Sequence, residues 1–99
     1  EAQRSPAMPD IPTLNESGVP GYEYVLCYGV FTQAKTAPAV IAKMNAEIGK
    51  LLAEPDTASR LVTQGAVPRH TTPAEFDRFI REDRERLQKV IRAASVKAE

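Results

Sequence analysis

The stretch Tyr22–Phe31, YEYVLCYGVF, sets the tightest limit on what this chain can build. It is rich in aromatic and aliphatic side chains and has no helical period. Gly18-Val19-Pro20-Gly21 precedes it and Thr32-Gln33 comes after. Read with period two, Tyr22, Tyr24, Leu26, Tyr28 and Val30 share one face, wholly apolar or aromatic. Glu23, Val25, Cys27, Gly29 and Phe31 share the other, which starts charged and turns apolar. That alternation predicts a strand half-exposed at its start and covered on both faces at its end, as in a parallel or mixed sheet flanked by helices. Gly29 marks a bulge, or a place where another backbone or a ligand comes close.

Helical patterns dominate the chain beyond Phe31. Pro38 suits a first helical turn, where a missing amide hydrogen costs little. Val40, Ile41, Met44, Ile48, Leu51 and Leu52 then form one apolar stripe, and Pro55 ends it. Asp56 is placed to cap a second, short helix that Gly65 closes. Ala66–His70 reads as a brief strand, with Pro68 favouring an edge. Thr72-Pro73-Ala74-Glu75 is a capping box with proline at the first helical position. Beyond it Phe76, Phe79, Ile80, Leu87, Val90, Ile91 and Ala94 share a face that Asp83 interrupts. The expected fold class is therefore α/β, with a main strand near 22–31, a short strand near 66–70 and helices near 37–54, 57–64 and 73–95. Two strands do not make an independent sheet against three helices, so the core needs something further: more polypeptide or a second copy.

Residues 1–21 read as a connection. Pro6, Pro9 and Pro12 disfavour both helix and central strand and point to an extended run. Thr13 and Glu16 can form a capping box over a short helix at Leu14–Ser17, ended by Gly18. A chain opening at Glu1 without methionine fits either a complete domain or a piece of a larger one. The first residues lack the basic start and apolar centre of a signal peptide.

With 99 residues the chain makes one small domain at most. Lysine plus arginine and aspartate plus glutamate number 13 each, so nothing in the charge draws it to nucleic acid or an anionic membrane. No apolar run is long enough to span a bilayer. The single cysteine, Cys27, excludes an intrachain disulfide and a thiolate metal cluster. No Ser/His/Asp set, metal spacing or glycine-rich phosphate loop marks an enzyme, and no cofactor is expected.

Several blocks resemble, in order, the TctC/Bug family of periplasmic solute-binding proteins of tripartite tricarboxylate transporters. Pro9-Asp10-Ile11-Pro12-Thr13 with Glu16, and Gly18-Val19-Pro20-Gly21-Tyr22-Glu23, are similar to that family's P-D-V-P-T…E-x-G-x-P-G-Y-E. Tyr28-Gly29-Val30-Phe31, Asn45-Ala46-Glu47-Ile48, Gln64-Gly65-Ala66, Thr72-Pro73-Ala74-Glu75-Phe76 and Lys89-Val90-Ile91-Arg92 match further family segments. The resemblance covers nearly the whole chain, but only the carboxy-terminal third of the family. It implies a fragment of a two-lobed periplasmic-binding-protein-like fold, with 1–21 as an inter-lobe connection and 22–99 as the carboxy-terminal α/β part of the first lobe. It also implies a periplasmic location, a small carboxylate ligand and membrane transporter subunits as partners. By itself this part is expected not to bind ligand, since the loops that grip the carboxylate lie in the missing portion. Cys27 stands where the family often has an aromatic, and Asp83 where it usually has Glu.

Three residues are candidates for ligand contact. Asp10 and Arg4 lie on a loop that the resemblance puts beside the cleft; the alternative is a solvated loop with Asp10 capping a turn. Tyr28 either faces a ligand or packs in the core with its hydroxyl satisfied. Cys27 reads as a buried inert thiol. His70 has no second ligand for a metal. On the last helix, Arg78–Glu82, Glu82–Arg86 and Glu85–Lys89 fall at helical spacing, worth ~0.3 kcal/mol each. Asp83, on the apolar face, calls for a partner from another segment. The rival to the receptor reading is a small structural α/β domain existing as a homodimer, with element exchange as one route to it.

Overall fold

Proline fixes where each helix of this chain begins. In the computed structural model, which describes residues 2–97, α1 spans Pro38–Ala53, α2 Pro55–Thr63 and α3 Pro73–Ala93. Each starts on a proline, whose missing amide hydrogen is no loss in a first turn. A single residue, Glu54, separates α1 from α2 and caps both, because Pro55 cannot extend the hydrogen-bond ladder of α1. Asp56 is thus not the cap of α2. It lies in the first turn, where its charge suits the helix dipole, and pairs with Arg60 at 3.1 Å.

The stops after α2 and α3 are built alike. After α2 the Gly65 amide donates to the Val62 carbonyl at 2.9 Å and the Ala66 amide to Leu61 at 2.9 Å, with Gly65 at φ 82°. This is the glycine-ended helix stop expected from sequence. After α3 the Ser95 amide donates to Arg92 and the Val96 amide to Ile91, with Ser95 at φ 53°. The same closure therefore ends α3 two residues short of Ser95 without a glycine. At the start of α3, Thr72 Oγ1 accepts from the Glu75 amide at 3.2 Å while the Glu75 carboxylate accepts from the Thr72 amide at 2.9 Å. That second hydrogen bond holds the Glu75 carboxyl below the usual carboxylate range.

No strand is present among the described residues, so the fold is all-helical and the α/β expectation is corrected. The physical reason lies in the ladder. A strand exists only by exchanging amide–carbonyl bonds with a neighbour. Residues 22–31 and 66–70 find none in each other, and each remains an unpaired segment. Their alternating pattern is real, but it has no sheet to join. Cys27, expected buried, is exposed for the same cause.

α1 packs against both α2 and α3. Ile41, Ile48 and Leu52 face inward and are half-buried, as are Leu61, Val62, Phe76, Phe79, Ile80 and Leu87. Val40, Met44 and Leu51, on the other side of the α1 stripe, are exposed. No described residue is fully buried. The accessible surface is 8672 Å², whereas a compact monomer of 10.9 kDa exposes about 5600 Å². Glu1, Ala98 and Glu99, at the ends of the two segments expected from sequence, lie outside the described residues.

Candidate functional site

The amino-terminal segment is organised by one cation. Arg4 Nε donates to both Glu16 oxygens, at 3.2 and 3.0 Å, and Arg4 Nη1 donates to the Pro9 carbonyl at 3.2 Å. Glu16 in turn accepts from the Thr13 amide at 2.8 Å, and Thr13 Oγ1 accepts from the Glu16 amide at 3.1 Å. The capping box read from sequence is formed, but the chain at 14–18 makes a turn and does not lengthen into an α-helix. The Val19 amide reaches back to the Leu14 carbonyl at 3.0 Å and Gly18 takes φ 102°, which only glycine adopts freely. The Gly21 amide donates to Asn15 Oδ1 at 2.7 Å. The Arg4 bond and the Thr13 amide together push the Glu16 carboxyl down to about 2, and Glu16 raises the Arg4 guanidinium.

Two of the three candidate contact residues belong to this loop. Arg4 lines a shallow groove of about 200 Å³ with Met8, Ile11 and Leu14. Asp10 is exposed and enters none of the hydrogen bonds or ion pairs among the described residues. Arg4 touches it only indirectly, through the carbonyl of its neighbour Pro9. Tyr28 stands apart on the extended segment, 87% exposed. No hydrogen bond or ion pair among the described residues joins it to Arg4 or Asp10.

The extended segment is held to α3 at two points. Arg86 Nη1 donates to the Glu23 carbonyl at 2.7 Å and Arg86 Nη2 to Asp83 Oδ1 at 2.5 Å. The partner of Asp83 is therefore Arg86, on the same helix, and not a group from another segment. A pair three apart on a helix is adjacent on its surface, which the sequence reading underrated. The bond to Asp83 raises the Arg86 guanidinium. Glu23, Val25, Phe79, Glu82, Asp83 and Arg86 line an open groove of about 250 Å³. The other ion pair on α3 among the described residues is Arg81–Asp77 at 2.9 Å, in place of the expected pairs through Glu82 and Glu85. The second point is aromatic. Phe31 and Phe76 lie 5.4 Å apart, and Phe76 stacks on Phe79 at 6.3 Å. A Cβ on Gly29 would overlap the Phe76 ring, so the close approach flagged at Gly29 is by a side chain of α3.

His70 meets α1. Its Nε2 lies 3.2 Å from the Asn45 carbonyl and 3.1 Å from Asn45 Oδ1. Both are acceptors, since Asn45 Nδ2 donates to the Thr71 carbonyl at 2.9 Å, so Nε2 carries the proton. The imidazole lies over Gly49, where a Cβ would come within 2.7 Å of it. Its role is to pin the 65–72 connection to α1. Among the described residues no group of three His, Cys, Asp or Glu could hold a metal ion. No helix there is long and apolar enough to cross a membrane.

Residues 1–96 match the model of the tripartite tricarboxylate transporter family receptor, TctC. This chain belongs to that family. It is a family of solute-binding receptors and not of enzymes. Among curated relatives, the UPF0065 protein in the tcbD-tcbE intergenic region of Pseudomonas sp. (strain P51) is 35% identical over 89 residues, covering 89% of this chain and 26% of that protein. The UPF0065 protein in the TAR-I ttuE-ttuC' intergenic region of Agrobacterium vitis is 29% identical, over 92% of this chain and 27% of its own length. Protein BugT of Bordetella pertussis is 28% identical over 96 residues, 97% of this chain and 29% of that protein. The chain thus spans little more than a quarter of the length of the curated relatives it matches. No solved structure matches it.

The residues that sequence reading missed are those whose partners are far off. Glu16 with Arg4, Arg86 with Glu23, and His70 with Asn45 join positions 12, 63 and 25 residues apart, beyond any local pattern. The Thr13–Glu16 box was the one signal that Glu16 was structurally occupied.

Proposed function

We propose that this chain is the carboxy-terminal part of a periplasmic receptor that captures small organic carboxylates for a tripartite transporter, and that by itself it does not bind them. The observation that carries this reading is surface. The chain exposes roughly 3000 Å² more than a compact monomer of its mass. That excess is the size of an obligate interface. The relatives supply the polypeptide to cover it, since the chain matches only 26% of one and 29% of another. Both grooves, of about 200 and 250 Å³, are open and shallow, a poor match to ligand sites that enclose their guest.

In the intact receptor the mechanism is capture between two lobes that close on a hinge, without covalent chemistry. Residues 1–21 connect the lobes and 22–99 complete the first. Asp10 and Tyr28 contribute exposed side chains toward the cleft, and Arg4 contributes through the loop it closes. Membrane transporter subunits receive the ligand. The alternative occupant of the exposed surface is a second copy of this chain, which would make it a homodimer.

Titration calorimetry against a panel of dicarboxylates and tricarboxylates tests the reading. The chain joined to the amino-terminal portion of a family receptor should bind at least one of them, and the chain alone should bind none at millimolar concentration. Tight binding by the chain alone, or none by the joined receptor, overturns it. Light scattering on the chain alone reads the homodimer directly.

A further inference from the structure

Every hydrogen bond made by the side chains of Arg4, Thr13, Asn15, Glu16 and Ser17 closes within residues 4–21. Arg4 ties the start of this segment to its middle through Glu16, and Asn15 ties the middle to its end through Gly21. Backbone bonds fill the intervals: the Met8 amide to Ser5, Ile11 to Met8, Ser17 to Thr13 and Val19 to Leu14. Pro6, Pro9 and Pro12 remove conformational freedom that the open chain would otherwise have. Apart from Ser5 and Thr13, which are half-buried, the segment is exposed, so its order does not come from a core. Compact loops packed by their own side chains form a known class of such structures.

We propose that residues 4–21 are a self-locking loop, closed by the Arg4–Glu16 ion pair and ordered without a hydrophobic core, in which Arg4 is a positioning residue. The guanidinium spends three of its donor contacts on Glu16 and Pro9. The contact to Glu16 is made by Nε alone, whose one hydrogen is shared between the two carboxylate oxygens, and Nη1 spends a second hydrogen on the Pro9 carbonyl. Arg4 fixes the Pro9 carbonyl and so the place of Asp10, the unpaired carboxylate of the loop. The order of the loop stands independently of the receptor reading; only the use of Asp10 at a ligand rests on it.

Backbone ¹⁵N relaxation on the whole chain tests the proposal. Order parameters across 4–21 should approach the ~0.85 of rigid backbone, well above those of residues 25–30, which should fall below about 0.6. Values in the loop no higher than in 25–30 overturn it. Arg4→Met should then lower the order parameters at Met8, Ile11 and Gly21 together, while α1 stays unchanged. Gly21 makes no contact with Arg4 through any of these bonds, so its retention of full order in the variant would show separate turns and overturn the lock. If α1 also loosens in Arg4→Met, the comparison within the unaltered chain decides. Carboxylate titration of the joined receptor carrying Asp10→Asn reads the ligand role separately.

Discussion

Gly49 lies in α1 with an imidazole where its side chain would be. Two effects oppose each other there. Alanine gains about 1 kcal/mol over glycine inside a helix. Its Cβ would also force the His70 ring away, breaking the bonds to Asn45. In a His70→Ala background, Gly49→Ala should raise stability by about 1 kcal/mol. With His70 present the gain should vanish, leaving a coupling of about 1 kcal/mol between the two sites, measurable by thermal melts of the four-member cycle. Glu16 gives a second residue-scale prediction. Its carboxyl is held at about 2 by Arg4 and the Thr13 amide, below its unfolded value, so the loop's ion pair is fully present above the unfolded value and is lost as pH falls through about 2. The ¹³C shift of the Glu16 carboxyl should titrate well below those of exposed glutamates, and an ordinary glutamate midpoint would contradict the bonds it accepts from Arg4 and the Thr13 amide.

At the scale of elements, what could be read from sequence divides by the range of the force involved. α1, α2 and α3 lie close to where proline, the Thr72–Glu75 box and the apolar stripes put them, because those signals act within a few residues. The Gly65 stop was legible for the same reason. The segment at 22–31 was not, since an alternating pattern states which faces a strand would bury but not whether a neighbour is there to pair with it. The candidate site divides likewise. The Thr13–Glu16 turn was legible, whereas the commitment of Arg4 to Glu16 depends on how the chain folds back between them. Asp83 shows the cost of judging orientation by eye. Its side chain is 22% exposed and pairs with Arg86 on the next turn. Such a pair at the surface is worth about 0–1 kcal/mol, and leucine regains roughly 0.5 kcal/mol of helix propensity over aspartate. Asp83→Leu should thus leave the melting transition of the chain within about 1 kcal/mol of the parent. A loss of several kcal/mol would mean that Asp83 serves a partner beyond α3.

The molecule as a whole is open. Its Cα radius of gyration is 16.6 Å, against about 13 Å for a compact domain of 100 residues and about 30 Å for an unfolded one. Small-angle scattering on the isolated chain should return a value near 16.6 Å, above that of a compact domain. Compaction to ~13 Å in dilute solution would show that the helices close on each other more fully than α1 alone allows. The unfilled surface also bears on what natural selection can see. Leu26, Tyr28 and Val30 stand mostly in water here and make none of the holds on α3, so replacing any of them with a polar residue costs this chain little. A mutational scan of the isolated polypeptide would be nearly blind to them. On the receptor reading proposed above, their apolar character is information about a neighbouring part of the same receptor, and no assay of this stretch alone would read it.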